Sequence, residues 1–204
     1  MHLFKNKNSV QREPWNKGKL TGQKPPLQPK HVWAIRTKLQ TDNRVRDLAI
    51  DSKLRGCDVV CMKVEDIAPH GYTKDRATVR QQKTGRPVKF EISEHTREAI
   101  DAYLAESLRS PRDYLFAGHR GLDTHLSTRQ YARLISRWIS NIGLDSALFG
   151  THSLRRTKAT LIYRRTGNLR AVQLLLGHSK IESTVRYLGI EVDDALEIAE
   201  KIDV

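Results

Sequence analysis

The chain has 204 residues, 38% of them hydrophobic, enough for one sizeable core and a short appendage. Lys and Arg total 36 against 23 Asp and Glu, a formal net charge of +13, so a polyanion is the expected partner and nucleic acid the commonest one, although a ribosome-associated or merely soluble basic domain has the same balance. Two cysteines are too few for a disulfide framework or a zinc cage, and no stretch approaches the roughly 18 apolar residues that span a bilayer, which argues against a secreted mini-protein and a helical membrane protein.

Residues 1–30 read as a basic, extended arm: Pro14, Pro25, Pro26 and Pro29 stand among several Lys with little apolar periodicity. The first residues have no apolar core of a signal peptide, so a cytoplasmic location is expected. The folded domain is expected from His31 to residue 204. Val32, Ile35 and Leu39 have helical spacing over residues 31–40, and residues 44–62 read as two short helices broken near Gly56. Cys57 and Cys61, four apart, fit one buried helix face, and Trp33 and Trp138 are expected in the core.

The pattern then changes. Val64–Ile67 reads as a short strand or turn, followed by a turn at Ala68–Gly71. Residues 77–81 and 88–92 alternate at period two around a turn at Lys83–Pro87, which predicts a small antiparallel hairpin with a lysine at its tip. Helices resume with Ser93–Leu108, Ser93 standing as N-cap, and with Ser127–Ile142. Tyr114–Phe116 reads as a short buried segment. Thr151–Arg165 reads as a helix stopped near Gly167. Asn168 can cap a helix that Gly177 ends, and Ser179 with Glu182 fits a capping box for a helix ending near Gly189. Residues 193–202 read as a terminal helix with an apolar stripe. The fold class is therefore α+β, mainly α-helical.

Two segments carry candidate chemistry. His152 and Arg155, three apart, share one helix face beside further basic residues; alone, they fit a solvated basic helix. His178 follows a helix-stopping Gly, and Tyr187 comes nine residues later; alone, these fit a helix-junction histidine and a rim tyrosine.

Together the segments resemble the tyrosine recombinase (phage integrase) family over roughly residues 31–204. His152 and Arg155 match its His-x-x-Arg signature, and Leu176-Gly177-His178 with Tyr187 match its Leu-Gly-His block and following tyrosine. Arg55 matches the arginine of its Gly-Leu-Arg-x-x-Glu context, with Asp58 at the Glu position, and Lys83 matches its hairpin lysine. The resemblance implies the family's DNA breaking-rejoining fold. It also implies a site of Arg55, Lys83, His152, Arg155, His178 and the nucleophile Tyr187, with no cofactor and no metal. Two guanidiniums that stay charged at any relevant pH would hold the phosphate. The expected partner is double-stranded DNA, with a dimer or tetramer formed on it through residues 193–202 and no membrane association.

About 30 arm residues cannot form the separate N-terminal domain of many members, so the chain resembles the short fimbrial phase-variation invertases. The run Arg46–Asp51 before Arg55 is about a turn shorter than in related sequences. Three readings stay open at this point: an active recombinase, a recombinase-like regulator that binds DNA without cutting, and a type IB topoisomerase.

Overall fold

The computed structural model describes residues 23–39, 47–118, 121–190, 196 and 200. In chain order these form α1 (Pro29–Leu39), α2 (Leu48–Asp51), α3 (Gly56–Val60), α4 (Val64–Ile67), β1 (Arg76–Arg80), β2 (Pro87–Glu91), α5 (Glu94–Ser107), β3 (Ala117–Gly118), β4 (Gly121–His125), α6 (Thr128–Asn141), α7 (Thr151–Thr166), α8 (Leu169–Leu176) and α9 (Ile181–Leu188). The mainly helical α+β class and the antiparallel hairpin match the expectation.

The main core gathers one face of each element. In β1 and β2 the alternation is complete: Ala77, Val79, Val88 and Phe90 point inward while their neighbours face water. The pair is antiparallel with Thr78 opposite Lys89. Helix α6 buries Tyr131, Ile135, Trp138 and Ile139, and its first turn is closed by a reciprocal capping box between Ser127 and Gln130. A smaller cluster of Ala159, Val172 and Leu176 joins α7 to α8, with Tyr187 and Leu188 of α9 packed on it.

Several expectations need correction. Val64–Ile67 is one helical turn, because the Asp66 carboxylate accepts the Lys63 N–H and caps it. Only Lys63 keeps a strand-like bridge, to Tyr114. Trp33 is 66% exposed, since α1 turns Val32 and Ile35 to the core and Trp33 falls on another face. Cys57 and Cys61 are half-buried: the Cys61 N–H donates to Cys57 O across one helical turn, and Cys61 packs against the core without being enclosed by it. Ser179 does not cap α9; the helix starts after Lys180. Ser93 holds the N-cap position of α5, but its hydroxyl donates to Asp51 at 2.6 Å. The β3–β4 pair was not expected from sequence; its strands are short and Gly-rich.

The arm boundary also shifts. Residues 23–30, read as arm, belong to the folded body: Leu27 is buried and α1 begins at Pro29. The N–H of Leu27 donates to the Thr157 hydroxyl on α7. The rest of the expected arm, the stretch around Arg46 and, apart from exposed Leu196 and Glu200, the expected helix 193–202 lie outside the described residues.

Candidate active site

Local rules place the C-terminal half of the site. Gly150 opens α7, so His152 and Arg155 occupy its first two turns. Asn168 accepts the Ala171 N–H and starts α8. Gly177 ends it in the left-handed region, φ +67°, where a side chain is strained. A Cβ there would also lie 2.5 Å from Val88 Cγ2, so glycine is required twice over. This stop turns the chain so that His178 meets α9, where its Nδ1 shares a hydrogen bond of 3.1 Å with the buried Thr184 hydroxyl.

Tyr187 stands in the resulting pocket. Its ring packs edge-on to His178, centroids 5.4 Å apart. The guanidinium carbons of Arg155 and Arg156 each lie 5.4 Å from the ring centroid. The hydroxyl is out of water with no hydrogen-bond partner among the described residues. Burial pushes the phenol up to about 12 although Arg155, Arg156 and Arg55 pull the other way. The phenol is therefore protonated at neutral pH.

The N-terminal half is held by long-range polar ties. Four-residue α2 delivers the chain into a turn at Lys53, which has φ +54° although it is not glycine. Its side chain is fully buried, and its ammonium donates to Asp51 O at 2.8 Å and to both Glu91 oxygens at 3.0 Å. Glu91 also pairs with Lys158 at 2.7 Å. Asp51 takes bonds from Ser93, Thr96, Arg36 and Lys158, which outweigh its burial and hold its carboxyl below the ordinary value. This ionic layer joins α1, α2, α5, α7 and β2, and the next turn carries Arg55.

Arg55 donates to the Gln81 side-chain oxygen at 2.6 Å, while the Gln81 amide donates to the Leu176 carbonyl at 3.0 Å. Arg155 Nη2 donates to that same carbonyl at 3.0 Å. The two guanidiniums thus belong to one network, and the short α2 does not remove Arg55 from it. Asp58 accepts the Gln82 N–H at 2.7 Å and so ties α3 to the hairpin. Lys83 sits on the exposed hairpin turn, two residues beyond Gln81, with no side-chain partner among the described residues.

His152 lies at the exposed rim. Partial burial, then the charges of Arg155, Arg156, Arg55 and Lys24, lower its basicity. Burial, then Arg155 and Arg55, push His178 down to about 4. Both imidazoles are neutral at pH 7.

The structure therefore draws Arg55, Arg155, His178 and Tyr187 together, with His152 in their field, and leaves Lys83 linked only through its hairpin. Sequence reasoning missed Gln81, Arg156 and Thr184. Arg156 was visible as a second basic residue after Arg155, but Gln81 and Thr184 look like ordinary strand-end and helix positions.

Comparison with known proteins gives the family and the fold. The family described as "Phage integrase family" matches residues 31–192. The probable integrase/recombinase YoeC of Bacillus subtilis is 31% identical over 144 residues, covering 71% of this chain and 75% of the relative. The tyrosine recombinase XerC of Thermodesulfovibrio yellowstonii is 25% identical, over 80% of this chain and 54% of the relative. The chain thus spans about half the length of that second relative. Among solved structures, XerA recombinase superposes with TM-score 0.70 and 21% identity over 89% of this chain and 65% of the other. XerH bound to its palindromic difH substrate gives TM-score 0.66 and 21% identity over 87% and 53%. The chain belongs to the phage integrase family, with the fold of the tyrosine recombinase catalytic domain.

Proposed function

We propose that the protein is a site-specific DNA recombinase that cuts and rejoins double-stranded DNA through a 3′-phosphotyrosine on Tyr187. The observation that carries this reading is the seating of one phenol beside two guanidiniums and a neutral imidazole, in a network that also includes Arg55. Tyr187 Oη attacks the phosphorus, its proton passing to neutral His152. The bond to the 5′ oxygen breaks, and that oxygen takes a proton from Lys83. Arg55 and Arg155 hold the non-bridging oxygens, and His178 donates to one of them. The phosphotyrosyl bond conserves the cleavage energy, so a 5′ hydroxyl of a partner duplex reverses the step without ATP. No metal or cofactor takes part in this scheme.

Copies would pair on DNA through residues 193–202, where Leu196 exposes an apolar side chain. Among the described residues no helix is long and apolar enough to cross a membrane, and the reading places the protein on cytoplasmic DNA.

The test is covalent capture. A pool of nicked duplexes with randomised centres is incubated with the protein, and adducts are resolved on denaturing gels and sequenced. The wild type forms adducts. Tyr187→Phe forms none while binding the captured duplex within about twofold, since one buried hydroxyl without a partner adds little to binding. Capture by Tyr187→Phe, or no capture by the wild type, overturns the reading.

A further inference from the structure

The segment ahead of α1, Gln23–Gln28, takes no part in the chemistry above, and the family match begins only at residue 31. It nevertheless runs along α7 and reaches α9. Gln23 Nε2 donates to Arg186 O, one residue before the nucleophile, at 2.9 Å. Lys24 Nζ donates to Phe149 O at 2.9 Å and Ser146 O at 3.3 Å, in the loop leading into α7. The carbonyl of Lys24 accepts from Arg156 Nη1 at 2.8 Å, and Arg156 is one of the two guanidiniums beside the Tyr187 ring. Leu27 anchors the other end in the core.

These ties matter because α9 has few of its own among the described residues. It is eight residues long, and its nucleophile hydroxyl bonds nothing among the described residues. The Arg186 carbonyl accepts from the Gly189 N–H at 3.2 Å where the helix ends, and the Gln23 amide adds a second, shorter bond to the same oxygen. We propose that Gln23–Gln28 is a strap that positions the active site: Gln23 holds the last turn of α9, and Lys24 holds the His152 end of α7 and orients Arg156. This rests on the recombinase reading for its catalytic consequence, and on geometry alone for its mechanical one. The charges facing His152 are Arg155 and Arg156 from its own helix, Arg55 from the turn before α3 and Lys24 from the strap. Lys24 therefore also helps to keep the imidazole unprotonated.

The test uses the full chain with Gln23→Met, Lys24→Met and Lys24→Arg; the side chain of Gln23 is exposed, so its replacement leaves the core untouched. Amide hydrogen exchange is read first, without DNA. Gln23→Met speeds exchange over residues 185–190 by about fivefold, the effect of one lost hydrogen bond, and leaves α6 unchanged. With a captured nicked duplex, the same variant slows single-turnover adduct formation by about fivefold at unchanged DNA affinity. Lys24→Met moves the acidic limb of the rate–pH profile to higher pH as His152 regains basicity, and Lys24→Arg restores it. A purely structural role would lower the rate without moving that limb. Wild-type exchange in Gln23→Met overturns the strap whether or not any adduct forms. Faster exchange with an unchanged cleavage rate, or an unmoved limb in Lys24→Met, overturns its positioning role. Absence of wild-type adducts counts against the recombinase reading alone.

Discussion

The two halves of the candidate site are built by different means. From α7 to α9, helix ends do the placing: Asn168 starts α8, Gly177 stops it, and Gly189 stops α9, so that Arg155, His178 and Tyr187 arrive by short-range rules. From α2 to α4 the helices are only about one turn long, and Arg55 arrives through a buried lysine, a shared carboxylate and a glutamine at the end of the β1–β2 hairpin. One half is set by backbone conformation and the other by paired charge and long-range hydrogen bonds. They meet at the backbone oxygen of Leu176, which accepts from both Gln81 and Arg155, and at Lys158 of α7, which pairs with Asp51 and Glu91.

The largest expected effect breaks the first half. In Gly177→Ala the left-handed backbone costs about 1–2 kcal/mol. The new Cβ meets Val88 Cγ2 at 2.5 Å and Gln81 Nε2 at 2.9 Å, adding about 1–3 kcal/mol of overpacking. Urea denaturation should show a loss of roughly 2–5 kcal/mol. Because the clash reaches the hairpin, the loss extends beyond the helix junction. A variant within about 0.5 kcal/mol of the wild type would show that the turn tolerates a side chain and that the first half is not conformationally fixed.

The same contrast explains what could be read from the chain. The helix ends at Gly167, Gly177 and Gly189, the N-cap at Asn168 and the hairpin around Lys83 are written in one or a few neighbouring residues, and each stands where it was expected. Ser179 shows the limit, because a capping motif lost to the tighter turn that Gly177 and the His178–Thr184 bond impose. Gln81, Lys53 and Glu91 left no local trace. Their meaning comes from partners between 26 and 95 positions away in the chain, and no periodicity encodes such a pairing. Residues 23–28 were likewise unreadable, since a proline-rich basic stretch looks the same whether it is solvated or bonded to α7 and α9.

A smaller effect sharpens the comparison at the point where the halves meet. Gln81 is neutral, so it can hold Arg55 in the DNA-free protein without competing strongly with a phosphate. Gln81→Leu keeps the size and removes the bonds to Arg55, Leu176 and Thr84; single-turnover cleavage should fall about tenfold, with stability lowered by only ~1 kcal/mol because Arg155 still satisfies Leu176 O. Gln81→Glu should be worse for cleavage, by about a hundredfold, and also less stable than the wild type, because a carboxylate has no proton to donate to Leu176 O. A carboxylate would pair with Arg55 and rival the substrate for it, and charge-assisted bonds are roughly twice as strong as neutral ones. Equal rates in the two variants would mean that Gln81 serves packing alone.

The smallest effect asks whether the second half hides a conformational rule of its own. Lys53 stands where the family's Gly-Leu-Arg context has glycine, and it keeps the positive φ of +54° that glycine would adopt freely. Its strain is opposed by the bonds of the buried ammonium to Asp51 O and Glu91, even though burial lowers the amine's basicity. Lys53→Ala and Lys53→Gly both lose those bonds and the buried stem, and Glu91 keeps Lys158 in each. They differ in the backbone. At an ordinary position glycine is the worse of the two, through its greater chain entropy, by roughly 0.5–1 kcal/mol. Here the order should invert, with Lys53→Gly more stable than Lys53→Ala by about 1 kcal/mol in urea denaturation, because alanine pays the left-handed penalty and glycine does not. The ordinary order would mean that the turn relaxes once the lysine is gone, so that the buried ammonium, rather than the path of the chain, creates the turn that presents Arg55.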